Sequence, residues 1–234
     1  QTEGNRIVYI GAERPKDYTG ETYDGKNKVA MPGFYNLHCH IPDTLLRGYG
    51  EGLPLHRWLT EKMFPFEAKL TEEDIYWSSM LGACELIRSG VASFTDMFYT
   101  LPQIERAVRD SGLKANLCFG TTALPGLSGY REYVAYQETE GLRRRLADAA
   151  DDRIRVDVGL HAEYTSHEAL MRDVADYARE TGLRVHLHLS ETQKEHEECK
   201  ARHNGLTPAA LFEKVGLFDV PATAAHCVWI EGED

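Results

Sequence analysis

The chain lacks several features, and each absence narrows its class. No run of eighteen apolar residues occurs in it, so the sequence offers no membrane-spanning helix. Gln1–Arg6 shows no charged, apolar and small-residue succession of the kind that marks a secretory leader. The five cysteines (Cys39, Cys84, Cys118, Cys199 and Cys227) form no CxxC pair and no even framework. They read as reduced thiols of a cytoplasmic protein rather than as a disulfide scaffold. Cations are scarce, with 26 Lys and Arg against 37 Asp and Glu and a formal charge of −11. That balance argues against nucleic acid, whose binding needs Lys and Arg to neutralise phosphates. No fixed-period repeat or low-complexity segment is visible. A small-molecule substrate, neutral or cationic, fits this composition, and self-association into a homo-oligomer stays open.

What is present is a chain of 234 residues, 42% of them apolar, enough to bury one large core. Short β-type runs alternate with helical ones. Strands are expected at Met31–His40, Val91–Phe98, Leu113–Gly120, Ile154–Ala162, Leu183–Ser190 and Ala222–Val228. Helices are expected at Glu72–Ser89, Leu101–Ser111, Glu138–Ala150, His167–Glu180, Gln193–Ala201 and Pro208–Val215. Ser89-Gly90, Ser111-Gly112, Thr181-Gly182 and Val215-Gly216 supply the glycine that ends a helix. This rhythm predicts parallel strands with helices outside. Residues 1–30 differ, with short strands expected at Arg6–Gly11 and Lys28–Met31 around a polar middle. The expected fold class is therefore α/β. Residues 31–234 read as about six strands of an incomplete (β/α)₈ barrel, and residues 1–30 as part of a small β-sandwich.

Four of the six strands end in histidine. His38 and His40 are two apart and share a face of the first strand. Two imidazoles crowded into a barrel mouth are costly unless something pairs them, and a divalent cation would do so. His186 and His188 share a face of the fifth strand. His188 lies nearer the C-terminal rim, where barrel sites sit, and is the candidate third ligand; His186, one layer deeper, is expected to support or pack. Glu191, three residues on, is placed to act as a general acid or base, although a solvated helix-start glutamate would look the same. His161 and His226 end the fourth and sixth strands. Each alone is an ordinary core histidine, and only the shared rim gives them weight. His56, His167, His196 and His203 fall off this pattern.

The run Met31-Pro32-Gly33-Phe34-Tyr35-Asn36-Leu37-His38-Cys39-His40, followed by His188-Leu189-Ser190-Glu191 and Ala225-His226-Cys227, resembles the amidohydrolase superfamily. Leu45-Leu46-Arg47-Gly48, Leu55-His56-Arg57-Trp58-Leu59, Phe64-Pro65-Phe66-Glu67, Thr95-Asp96-Met97 and Leu160-His161-Ala162-Glu163-Tyr164-Thr165 extend the match. Within the superfamily the chain is similar to the branch of methylthioadenosine/S-adenosylhomocysteine deaminases, guanine deaminases and triazine hydrolases. The resemblance implies one zinc or iron held by His38, His40 and His188. It implies Glu191 as proton shuttle, His226 as the group polarising the attacking water, and His161 as a substrate contact. Glu67 matches a carboxylate that takes two ribose hydroxyls, and Trp58 lies in a loop, Ile41–Phe66, that folds over the substrate. The implied reaction is hydrolytic deamination of an adenine-type nucleoside. The alternatives are deamination or dechlorination of another purine, pterin or triazine ring, or a truncated and inactive fragment.

The chain departs from the family pattern in three ways. The family's fourth ligand, an aspartate after the eighth strand, has no counterpart here, and Asp234 does not fit that place. Cys118-Phe119-Gly120-Thr121-Thr122 lacks the arginine expected near the substrate's tail. Glu163 stands where proline is usual.

Overall fold

A computed structural model describes residues 1–4, 6–149 and 152–234. The chain divides into two compact units, Gln1–Pro32 and Gly33–Asp234. The first carries a two-stranded antiparallel ribbon, β1 (Thr2–Glu3) with β2 (Arg6–Ile7). The strand expected at Arg6–Gly11 is thus shorter, and Lys28–Met31 forms none.

In the second unit every strand pairing is parallel. One sheet runs β3 (Phe34–Cys39), β4 (Val91–Phe98), β5 (Lys114–Phe119) and β6 (Ile154–Val156); the other runs β7 (Val158–Leu160), β8 (Val185–Leu189) and β9 (Ala222–His226). The single strand expected over Ile154–Ala162 is therefore split. The chain passes from one sheet to the other at the buried Asp157, whose amide donates to the Leu117 carbonyl while Val158 N donates to the Arg184 carbonyl. A bridge between Thr121 and Leu160 carries the pairing across the gap. Six strand positions of a (β/α) barrel result.

Between β3 and β4 the segment expected as a loop is largely helical. It holds a 3₁₀ turn (Ile41–Leu46), α1 (Leu55–Trp58), a π turn (Leu59–Met63) and α2 (Phe64–Glu67) before α3 (Glu72–Arg88). Pro42 and Pro65 stand in first turns, where a missing N–H costs nothing. Helix α3 opens with a capping box between Thr71 and Asp74. The remaining helices are α4 (Leu101–Ser111), α5 (Val134–Ala149), α6 (Glu168–Thr181), α7 (Gln193–Arg202) and α8 (Pro208–Lys214). Helix α5 starts four residues before the expected Glu138, because Tyr133 and Ala135 are drawn into the core; its expected end at Ala150 lies outside the described residues. No described helix is long and apolar enough to cross a membrane.

Two apolar clusters fill the unit. One gathers Phe94, Leu101, Ile104, Leu117 and Leu142 beneath β4 and β5; the other gathers Leu160, Leu170, Met171, Leu187, Leu211 and Phe212 around β7 and β8. Phe119 and Leu183 touch both clusters. Strand β3 is the exception, with Phe34, Tyr35 and Leu37 exposed, since among the described residues only β4 pairs with it.

Gly159 shows how tightly the sheets meet. A Cβ there would stand 2.1 Å from the Phe119 carbonyl oxygen, which is backbone and cannot swing away. Gly159→Ala is expected to destabilise the full chain by about 1–3 kcal/mol or more, read as a lower denaturant midpoint with an unchanged slope.

Candidate active site

The C-terminal ends of β3, β7, β8 and β9 bring five histidines together. Rings of His38, His40, His161, His186, His188 and His226 form a continuous set, each centroid within about 5.3 Å of another. Five of these end strands at the rim; His186 lies below, fully buried. One potential donor atom from each of His38, His40 and His188 falls within 4.8 Å of the others.

Their hydrogen bonds decide which nitrogens are free. His40 Nδ1 donates to the Met97 carbonyl and His188 Nδ1 to the His161 carbonyl, both at 2.6 Å. Each therefore carries its proton on Nδ1 and turns an Nε2 lone pair into the cluster. His38 Nδ1 meets His186 Nε2 at 2.9 Å, and the two rings stack. The Nε2 atoms of His38 and His188 approach to 3.2 Å. Burial, and then repulsion from His40, His186, His226 and His161, lowers the His38 pKa to about 3. Burial is also the leading cause that lowers His40 and His188. Three neutral imidazoles, two with their outer nitrogens anchored on carbonyls, match the donor chemistry of a divalent cation. His186 Nδ1 is buried without a partner, so its contribution is the contact with His38.

Glu191 and His226 face each other across this cluster, Oε2 to Nε2 at 3.5 Å. Burial raises the Glu191 carboxyl. The expected last strand ends early, at His226, because His226 and Cys227 adopt φ of 76° and 53°. Non-glycine residues rarely do so, and the turn is held by Cys227 N donating to the Leu189 carbonyl and Val228 N to the Ser190 carbonyl.

His161 hydrogen-bonds Thr165 Oγ1 at 2.9 Å. With His40, Asp43, Trp58, Phe64, Glu67 and Tyr99 it lines a small pocket of about 40 Å³. Trp58 is fixed by its Nε1 donating to the Tyr49 carbonyl at 3.2 Å. Burial pushes Glu67 up to about 7. A larger cavity of about 640 Å³ shares Phe64, Glu67 and Tyr99 with the first and extends over Phe119, Leu124, Tyr133, Val134 and Ala135. Among the described residues, neither cavity is lined by lysine or arginine.

Several contributors escaped sequence reasoning. Glu195, buried, accepts from the amides of Ser190 and Glu191 at 3.2 and 2.8 Å and so fixes the turn that carries Glu191. The signal was there: Thr192-Gln193-Lys194-Glu195 is a capping-box pattern, and Thr192 caps α7. Asp96, buried, accepts from the Ile41 amide at 2.6 Å just beyond His40. Asp43 and Tyr99 carried no pattern that would have singled them out. His196 pairs with Glu231 and His167 caps α6, away from the cluster. Glu163, where proline was expected, is buried and bound by Arg202 at 2.5 Å and His203 at 3.1 Å. Cys199 completes a second close group with Glu163 and His203, but the Arg202 guanidinium already neutralises the carboxylate and repels a cation. Asp234 accepts from Glu231 N and Thr207, remote in role from the imidazoles.

Parallel strands whose ends gather histidines that could hold a metal ion are the arrangement of an α/β barrel with a candidate metal site. The chain belongs to the amidohydrolase family, whose sequence profile matches residues 29–234. It is 45% identical to the 5-methylthioadenosine/S-adenosylhomocysteine deaminase of Dictyoglomus thermophilum over 217 residues, 90% of this chain and 48% of that protein. It is 38% identical to the 5'-deoxyadenosine deaminase of Methanocaldococcus jannaschii, covering 99% of this chain and 55% of that one. The chain thus spans about half the length of the curated relatives it matches. Its fold matches a zinc-bound adenosine deaminase from Xanthomonas campestris with a TM-score of 0.77 and 26% identity, over 87% of this chain and 46% of that one.

In the full chain, about one equivalent of divalent metal is expected per protomer by elemental analysis, with His38→Ala or His188→Ala bringing it well below that. Occupancy should fall as the pH is lowered, because protons compete for the imidazole nitrogens. Undiminished metal in both variants would exclude this ligand set.

Proposed function

We propose that the protein is a hydrolytic deaminase of an adenine-type nucleoside, using one zinc or iron ion held by His38, His40 and His188. The observation that carries this reading is the position of Glu67, a half-buried carboxyl that shares one pocket with His40 and His161. A free base offers such a group no vicinal diol, whereas a ribose does. The names of the relatives point the same way. The five cysteines, all free, suit a cytoplasmic setting.

A divalent cation at the three imidazoles would lower the pKa of water from about 15.7 to about 7, making hydroxide available at neutral pH. Glu191 takes a proton from the attacking water and delivers it to the ring nitrogen, which makes the neighbouring carbon more electrophilic. Its burial-raised pKa brings it closer to the range in which a carboxyl both accepts and donates. As the ring carbon becomes tetrahedral, His226 holds the new oxygen, an electrostatic contribution of about 3 kcal/mol in comparable cases. The second proton of the attacking water passes from the new oxygen to the amino group, the carbon–nitrogen bond breaks, and ammonia leaves a ring carbonyl behind. His161 touches the base, Trp58 closes over it, and Glu67 holds the sugar.

The tail of the substrate would enter the larger cavity, whose lining is apolar apart from threonines, Tyr99, Tyr133 and Glu67. Without a cation there, a carboxylate tail gains nothing. Methylthioadenosine or 5'-deoxyadenosine is therefore expected to match or exceed S-adenosylhomocysteine in kcat/KM.

Glu191→Gln keeps size and most hydrogen bonding, so metal should stay while kcat falls by about 10² or more. Glu67→Ala should raise KM strongly for nucleosides, since two charge-assisted hydrogen bonds of about 1.5–3 kcal/mol each are lost. Free bases should be nearly indifferent to that change. A panel in which guanine, a pterin or a triazine outperforms every nucleoside would keep the family and overturn the nucleoside reading.

A further inference from the structure

His38 differs from the other two proposed ligands in what holds its outer nitrogen. A main-chain carbonyl can only accept, so the fold places the proton of His40 and of His188. His38 Nδ1 instead meets His186 Nε2 at 2.9 Å, and a ring nitrogen can donate or accept. The two rings lie 24° from parallel with centroids 5.1 Å apart.

His186 is an unexpected occupant of its place. It stands within β8, between Val185 and Leu187, with no exposure to solvent. Its register neighbours offer the second ring nitrogen nothing: Gly159 has no side chain, and the Thr223 hydroxyl accepts from Arg184. Nδ1 is accordingly buried without a partner. Such an atom is unfavourable, and leucine or phenylalanine would fill the position without it. The ring is neutral, since a buried charge beside other imidazoles and Arg184 is strongly disfavoured. A neutral imidazole has one proton and one lone pair to offer.

Two proton placements satisfy the 2.9 Å contact. If His186 Nε2 donates, His38 carries its own proton on Nε2, the nitrogen 3.2 Å from His188 Nε2, and has no lone pair to turn into the cluster. If His38 Nδ1 donates, its Nε2 lone pair faces the cluster, as those of His40 and His188 do. Only the second placement gives a cation three donors.

We propose that His186 is a positioning residue for metal binding, whose Nε2 accepts the Nδ1 proton of His38 and so turns the His38 lone pair toward the ion. The inference rests on the metal assignment above. The test is the Zn²⁺ affinity of the full chain, measured by competition with a chelating dye. His186→Phe keeps a ring of similar size but removes the acceptor, and should weaken Zn²⁺ binding about 10–100-fold. His186→Gln, whose side-chain carbonyl reaches the same point, should recover most of that loss.

A folded His186→Phe chain that binds Zn²⁺ as tightly as wild type overturns the role of His186, as does a His186→Gln chain no better than His186→Phe. Zn²⁺ binding untouched by His38→Ala overturns the metal assignment and this inference with it. Should the His186 variants not fold, neutron diffraction from crystals of the metal-loaded wild type decides. Deuterium on His38 Nδ1 supports the proposal, and deuterium on His186 Nε2 overturns it.

Discussion

Two hydrogen bonds from imidazole Nδ1 to main-chain carbonyls, His40 to Met97 and His188 to His161, hold the rest of the site in order. Each joins the end of one strand to the end of its neighbour, β3 to β4 and β8 to β7. The tautomer of each of these imidazoles is therefore set by sheet register. A slip of one residue would turn every side chain of a strand to the opposite face and remove the carbonyl as well. The register in turn rests on the two apolar clusters beneath the sheets and on the close passage of Gly159 past Phe119. Packing far below the rim thus decides which nitrogen lone pairs face the cluster.

Electrostatics at the rim follow from the same burial. Desolvation is the largest cause of every shift here: it lowers His38, His40, His161 and His188 and raises Glu67, Glu191 and Asp43. All of these groups are pushed toward neutrality, and the described lining of the two cavities contains no fixed cation. Such a site asks for positive charge at the imidazoles and for hydrogen-bond donors at the carboxyls. Glu163, outside the two cavities, is instead paired by Arg202 and His203.

Much of the fold was legible because strand and helix periodicities are local. β4 coincides with its expected bounds, and the glycines after α4 and α6 take the left-handed conformation their positions predict. The break at Asp157 was not legible. It depends on two sheets diverging, and a short apolar run reads the same whether or not it changes partner. The start of α5 was hidden for a related reason: its first turn mixes polar and aromatic residues, and only the core shows which of them are buried.

At the site, the sequence by itself determined the chemical types and their spacing: His38 and His40 on one face of a strand, His188 followed by Glu191, and histidines at four strand ends. Those are properties of residues within a few positions of one another, where backbone geometry leaves little freedom. Only the tertiary structure decided the partners. The Met97 carbonyl lies 57 residues from His40, Asp96 lies 55 from Ile41, and His186 meets His38 across 148 residues. It also decided that Asp43 and Glu67 share a pocket without a cation. Such pairings are written in no local pattern, because they arise only when strand register and collective burial bring distant segments to the same rim.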